Sequence, residues 1–354
     1  MKKSDQDRSR RDSRPDRPAQ KFRRTWGIIF SVLLIAYVAW TLLDAFVIPQ
    51  NIIEASSVKD LQDNADSQDS ADSQPDADSQ DSADSQPDAD SQDTADSQPD
   101  ADPVPSEPII TDHSYKDDSI SIEITTTRYL DTTIYTADVV LQDPLYFGTA
   151  LAQNSFGRNL TDTTSNMARE HNAIFAVNGD YYGFRSNGYV MRGGYLYRSE
   201  PLGDPDQEDL VLYRDGSLAV IREEEVSAES IAETEATDIF SFGPALILDG
   251  EICVKKGEEV DRAQVTNPRT AVGLIEPLHY VFVVSDGRTE ESHGLSLLQL
   301  AQYMSGLNCT LAYNLDGGGS STMWFNGQVL NRPTTFGDKI AERALSDIIY
   351  IGRD

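Results

Sequence analysis

The chain is short of cysteine, short of histidine and, over a long stretch, without a single positive charge. Cys253 and Cys309 are the only cysteines among 354 residues. Two thiols and no CxxC pair exclude a disulfide framework and a thiolate metal or redox centre. They read as two buried free thiols, with a single disulfide as the alternative. His171, His279 and His293 show no metal-ligand spacing, so no cofactor is expected. Residues 61–107 hold fifteen acidic residues and no basic one. The whole chain carries −30, and residues 108–354 carry −19 of it. A domain this acidic repels a phosphate backbone at long range, which argues against a nucleic-acid partner. It can still hold one phosphate locally, where arginines and backbone N–H groups converge.

The N-terminal part has the opposite character. Residues 1–25 contain ten Lys or Arg against four Asp, and Thr25–Leu43 contains no charge at all. An apolar run of about 20 residues is long enough to span a bilayer. Its basic flank predicts a cytoplasmic N-terminus and an extracellular remainder. The run is long for a signal-peptide core and no small-x-small site follows closely, so an uncleaved signal anchor is favoured over a cleaved signal. Next comes a twelve-residue repeat: Ala65–Asp76 reads ADSQDSADSQPD, Ala77–Asp88 repeats it, and Ala89–Asp100 repeats it with Thr94 in place of Ser. With no apolar side chain beyond Ala, this segment cannot offset the entropy of ordering. Its aspartates also miss the alternate spacing of a calcium loop. The expected organisation is a basic cytoplasmic tail at 1–24 and a single-pass anchor at 25–47. An acidic disordered stalk at 48–107, with repeats at 65–100, and a globular domain at 108–354 complete it.

That domain reads as α+β: a mixed β-sheet domain with a few packed helices. Ser119–Thr126 and Thr132–Leu141 alternate as strands do, and AIFAV at 173–177 is a compact apolar run. Strand pairs flank Asp-Gly turns at 215–216 and 249–250. Glu223–Asp238 reads as an acidic surface excursion. The clearest helix is 296–306, where Ser296 and Gln299 form a capping box and Gly306 gives the stop. Apolar strands end in polar, Gly-containing turns at 178–180, 286–288 and 316–321, and strand ends are where rigid structure aims side chains into one cleft.

Three segments carry candidate chemistry. NLDGGGSST at 314–322 offers a carboxylate, Asp316, and hydroxyls from Ser320 and Ser321. Its glycines free the backbone for an anion-binding nest of N–H groups across Gly317 and Gly318. No Lys follows the glycines, so it is not a nucleotide phosphate loop, and it is not a Gly-x-Ser-x-Gly elbow. NGDYY at 178–182 places Asn178 and Asp180 directly after a strand, beside two aromatics suited to a sugar face. NPRT at 267–270 presents Arg269 as a candidate phosphate clamp, with Arg192 a second.

In this order, with Phe242-Gly243-Pro244 and Asp286-Gly287-Arg288 between them, these segments resemble the phosphodiester glycosidase family over roughly residues 145–352. NPRTAVG and NLDGGGSST about 45 residues apart are the most specific part. The resemblance implies hydrolysis of a sugar 1-phosphate diester at the anomeric carbon, releasing sugar and a phosphomonoester. Phosphate is already a good leaving group, so charge stabilisation outweighs general-acid help. On this reading Asp180 and Asp316 are catalytic. Arg192, Arg269 and the Gly317–Ser321 backbone hold phosphate, and Asn178, Asp286 and Ser320 orient hydroxyls or water. The expected partners are a cell-surface or exopolysaccharide glycan and the membrane. The competing readings are a non-catalytic protein that binds or assembles surface polysaccharide, and a phosphodiesterase that cuts P–O.

Overall fold

The structure, a computed structural model, describes residues 18–55, 107–259, 266–337 and 339–353. The tail up to residue 17 and the repeats at 65–100 lie outside the described residues. The chain divides into two compact units, 1–48 and 49–354. In the first, helix α1 spans Pro18–Phe46, and its side chains are described from Ile28 to Asp44. Among the described residues no helix is long and apolar enough to cross a membrane, so the anchor read at 25–47 draws no support from them.

The second unit is α+β and dominated by sheet, with few helices, as expected. Every strand pair among the described residues is antiparallel. A nine-stranded sheet has Leu311–Asn314, Arg269–Glu276, His279–Ser285 and Thr132–Leu141 side by side at its centre. Against one face lies a five-stranded sheet built on Met323–Phe325, Ala173–Asn178, Asp347–Gly352 and Phe147–Leu151. Side chains of the two faces interlock: the Phe175 and Phe282 rings lie 5.1 Å apart, within a cluster that also holds Val177, Tyr280, Met323 and Ile349. The sequence HYVFVVS at 279–285 lacks a polar alternation because both of its faces are buried. Its other face, with Val281 and Val283, meets Leu297, Leu300, Ala301 and Met304 of helix α4, Leu297–Ser305. Burying one such Leu or Met contributes roughly 1.5–3 kcal/mol. The capping box of Ser296 and Gln299 forms as the sequence indicates.

Helix α2, Thr164–Glu170, capped by Thr163, covers the outer face of the five-stranded sheet through Met167 and Ala168. A second five-stranded sheet contains Val190–Arg192, Ala236–Phe240 and Glu208–Tyr213, with helix α3, Ala228–Ala232, on its apolar side. This sheet corrects the reading of 223–238 as a surface excursion. Ala228, Ile231, Ala236 and Ile239 are buried, and so is Glu223. The stretch read as stalk is corrected at its start. Gln50–Glu54 is a strand paired with Ser155–Arg158, and Ile53 packs beside Phe156 and Tyr182. Both cysteines are free, but Cys253 is exposed and only Cys309 is buried.

Candidate active site

The ends of strands from all three large sheets meet. Ala173–Asn178 runs into Gly179 and Asp180, Leu311–Asn314 runs into Leu315 and Asp316, and Val190–Arg192 ends at Arg192. Asp347 opens the strand that lies beside Ala173–Asn178. The backbone couples two of these ends directly, because Asp316 N donates to Gly179 O at 3.1 Å. Gly179 has to be glycine: a Cβ there would lie 2.6 Å from Asp347 Oδ1.

Asp180 is 2% exposed. Its two oxygens accept N–H bonds from Tyr181 and Ser241, at 2.5 and 2.7 Å. Its own N–H donates to Asp347 Oδ1 at 2.7 Å. Arg192 donates through Nε to Asp347 Oδ2 at 3.0 Å and through Nη2 to the same oxygen, and its Nη2 lies 4.0 Å from Asp180. Its remaining bonds go to Met191 O and Ile239 O, and its guanidinium sits 4.0 Å from the Phe240 ring centroid. Burial, with Asp180 nearby and against the pull of Arg192, pushes the Asp347 carboxyl up to about 6.

Asp316 is held differently. Ser320 Oγ donates to its Oδ2 at 2.6 Å, and Arg343 Nη2 lies 3.5 Å from that oxygen. Burial pushes its pKa above the ordinary carboxylate range and Asp180 adds to the effect, while Arg343 and Ser320 oppose it. A second buried acid stands behind Asp180. Ser241 Oγ lies 2.7 Å from Tyr189 O and 2.8 Å from Asp209 Oδ2. Burial, with Glu223 beside it, pushes the Asp209 pKa well up.

The other residues singled out in the sequence separate into braces and a rim. Asn178 is fully buried, accepting from Thr270 Oγ1 at 2.7 Å and Thr322 N at 3.2 Å and donating to Asp316 O at 2.5 Å. It stitches the strands that carry the site. Arg269 is buried, with Nε on Leu295 O at 2.9 Å and Nη2 on Glu259. Asp286 accepts from Arg332 N at 2.8 Å and Asn331 Nδ2 at 3.4 Å, and so caps the 331–332 turn. In the glycine segment Gly318 N is bonded to Pro268 O, Ser320 N to Gly317 O and Ser321 N to Gly318 O. Of these N–H groups, in the segment expected to form an anion nest, that of Gly318 is engaged by Pro268 and those of Ser320 and Ser321 by the turn. Ser321 Oγ and Thr322 Oγ1 are buried with no hydrogen-bond partner among the described residues.

Asp347, Arg343, Asp209 and Ser241 were missed by sequence reasoning. Arg288 was noticed only as part of the motif Asp286-Gly287-Arg288. Asp347 and Arg343 sit in AERALSD, which has no glycine turn to mark it as a strand end. Among the described residues no group of three or more His, Cys, Asp or Glu could hold a metal. Clefts of about 440 and 570 Å³ elsewhere on the unit are not lined by Asp180 or Asp316. The convergence of charged strand ends, more than cleft size, marks the candidate site.

Acids and arginines gathered at strand ends on a sheet-dominated scaffold form the candidate site. The model of the phosphodiester glycosidase family matches residues 171–352, just over half of the chain, and the chain belongs to that family. The SPβ prophage-derived uncharacterized protein YomE of Bacillus subtilis is 30% identical over 201 residues, which is 55% of this chain and 30% of that protein. The N-acetylglucosamine-1-phosphodiester alpha-N-acetylglucosaminidases of Bos taurus and Homo sapiens are each 29% identical over 189 residues. That is 49% of this chain, and 35% and 36% of theirs. The chain thus spans about a third of the length of these relatives. The catalytic domain of the zebrafish enzyme of that name, solved auto-inhibited by its pro-peptide, has a TM-score of 0.53 at 22% identity, over 66% of this chain and 83% of that one. That likeness establishes a shared fold.

Proposed function

We propose that this chain hydrolyses sugar 1-phosphate diesters at the anomeric carbon. The observation that carries the reading is the junction of Asp316 and Asp180 through the Asp316–Gly179 backbone bond, inside the segment the family model matches. Water adds to the anomeric carbon as the C1–O bond breaks, and the bonding electrons leave with the phosphate oxygen. Asp316, with its raised pKa, takes the proton from water. Asp180, Arg192 and Asp347 together carry one net negative charge in a buried setting, suited to the positive charge that builds on the sugar ring. Incubating the purified chain with an N-acetylglucosamine 1-(4-nitrophenyl phosphate) diester in ¹⁸O water tests this. Label in the released sugar supports it. Label in the phosphate means P–O cleavage, and no release of sugar at all means a binding protein.

The proposal extends to location and substrate. The uncharged run Thr25–Leu43 with its basic flank is the sequence feature that favours a single-pass anchor with the catalytic unit outside the cell. A cell-surface or exopolysaccharide glycan with sugar 1-phosphate linkages is then the substrate within reach. Alkaline extraction of membranes and protease treatment of intact cells test the anchor. A protein that washes off, or that stays protected from protease, removes it.

A further inference from the structure

Arg192 and Arg269, the arginines that the sequence offers as phosphate ligands, are each buried against a carboxylate, Asp347 and Glu259. Each positive charge is already matched, and releasing either would leave a buried carboxylate alone. Two other arginines are placed differently, on either side of the glycine turn. Arg288 Nη2 is so close to Gly318 that a Cβ there would lie 2.6 Å from it, and Arg343 Cδ would lie 3.4 Å from a Cβ on Gly319. Arg288 is anchored through Nε on Asn267 Oδ1 at 3.1 Å and Nη1 on Thr334 O at 3.3 Å, which leaves Nη2 with no acceptor among the described residues. No carboxylate lies within 4.0 Å of it among those residues. Arg343 reaches over Tyr181, 5.8 Å from the ring centroid, and touches Asp316 only at 3.5 Å, with 34% of its side chain exposed.

We infer that the substrate phosphoryl group is held between Arg288 and Arg343, over Gly318 and Gly319, with Arg192 and Arg269 serving as internal braces. Three independent features support the assignment. Burial and the like charge of Arg343 both disfavour the charged Arg288, whose Nη2 has no carboxylate within 4.0 Å among the described residues, an arrangement that an anion between the two guanidinium groups relieves. Arg288 adopts φ +61, a left-handed conformation uncommon outside glycine, and strain of this kind is kept where a side chain must be aimed. The glycines acquire a physical role as well: Gly318 and Gly319 make room for the Arg288 guanidinium and the Arg343 side chain. The inference rests on the proposed reaction only for the identity of the anion, and its test separates the two.

Calorimetry with inorganic phosphate, run beside diester kinetics on the full chain, decides it. Arg288→Lys and Arg343→Gln should each weaken phosphate binding and raise KM by about tenfold or more, with a smaller change in kcat and unchanged melting. Arg214→Gln removes an exposed arginine paired with Glu235 far from the turn, and should change neither. Phosphate binding equal to the parent in either arginine variant, equal weakening by Arg214→Gln, or no phosphate binding by the parent overturns the inference. Should the parent cleave diester and both variants do so at its KM, the reaction stands and the clamp fails. Should the parent cleave nothing yet bind phosphate through Arg288 and Arg343, the clamp stands and the reaction fails.

Discussion

Asp180 and Asp316 reach one site from two sheets and are held in opposite ways. The oxygens of Asp180 are fixed by backbone N–H groups of Tyr181 and Ser241, with the Arg192–Asp347 pair behind them. Asp316 is held by side chains, the Ser320 hydroxyl and an arginine about a third exposed. Backbone donors cannot turn away, so the first carboxylate suits a fixed electrostatic task. The second can change partners as it gains and loses a proton. On the proposed mechanism, the contrast separates a charge that is built in from a group that works.

The largest test of that contrast is Asp316→Asn. Turnover should fall by about 10³-fold or more, measured as sugar release, while the urea midpoint stays near that of the parent. Near-normal activity would place the working group elsewhere. Arg192→Gln should act the other way round, on stability first. Removing one member of a buried pair costs roughly 3–5 kcal/mol. The carboxyl of Asp347 already sits at about 6 with Arg192 present, above its free-acid value. It therefore favours the folded state most below about pH 4, and that contribution fades as pH rises through about 6. Without Arg192 the pKa climbs further, so melting curves from about pH 5 to 8 should show the gap to the parent widening with pH. A constant gap would mean that Asp347 does not respond to Arg192.

Gly318→Ala sharpens the comparison on the Asp316 side. It meets both φ +63 and the Arg288 guanidinium. A loss of about 1–2 kcal/mol in folding with a larger loss in kcat/KM is expected, from urea melts and kinetics on one preparation. The smallest effect belongs to Asp209→Asn. An amide keeps the size of the buried carboxyl and still accepts from Gln207. The raised pKa of Asp209 gives the parent stability at low pH that is lost as pH rises through the folded-state value. The Asn variant has no such slope, so its melting temperature should equal the parent at low pH and match or exceed it at high pH. A large loss at every pH would show that Asp209 works as an anion.

Much of the scaffold could be read from sequence because its signals are local. The capping box at 296–299, the doubly buried strand at 279–285 and the turns after Asn178 and Asn314 each depend on residues a few positions apart. The glycine segment drew attention for a sound reason, yet Gly318 N is taken by Pro268 and Ser320 and Ser321 N by the turn, which a sequence does not reveal. Arg192 and Arg269 looked like free cations because Asp347 and Glu259 carry no local mark as their partners. Glu223, in a run of acids, looked solvated, and only the N–H groups of Tyr189 and Leu202, which its carboxylate accepts from, show why it is inside. Ligands and braces differ in what surrounds them in space, and residue type alone does not separate them.

The strand Asp347–Gly352 lies between Ala173–Asn178 and Phe147–Leu151, and its first residue neutralises an arginine 155 positions earlier. That places a late-arriving segment at the middle of a sheet and under the reactive centre. Any folding intermediate that packs Arg192 before this strand inserts must carry an uncompensated guanidinium in its interior. Such a species is disfavoured, so strand insertion and charge neutralisation are expected to occur as one cooperative event. Contacts this distant in sequence make that event slow, and they tie formation of the reactive centre to completion of the fold.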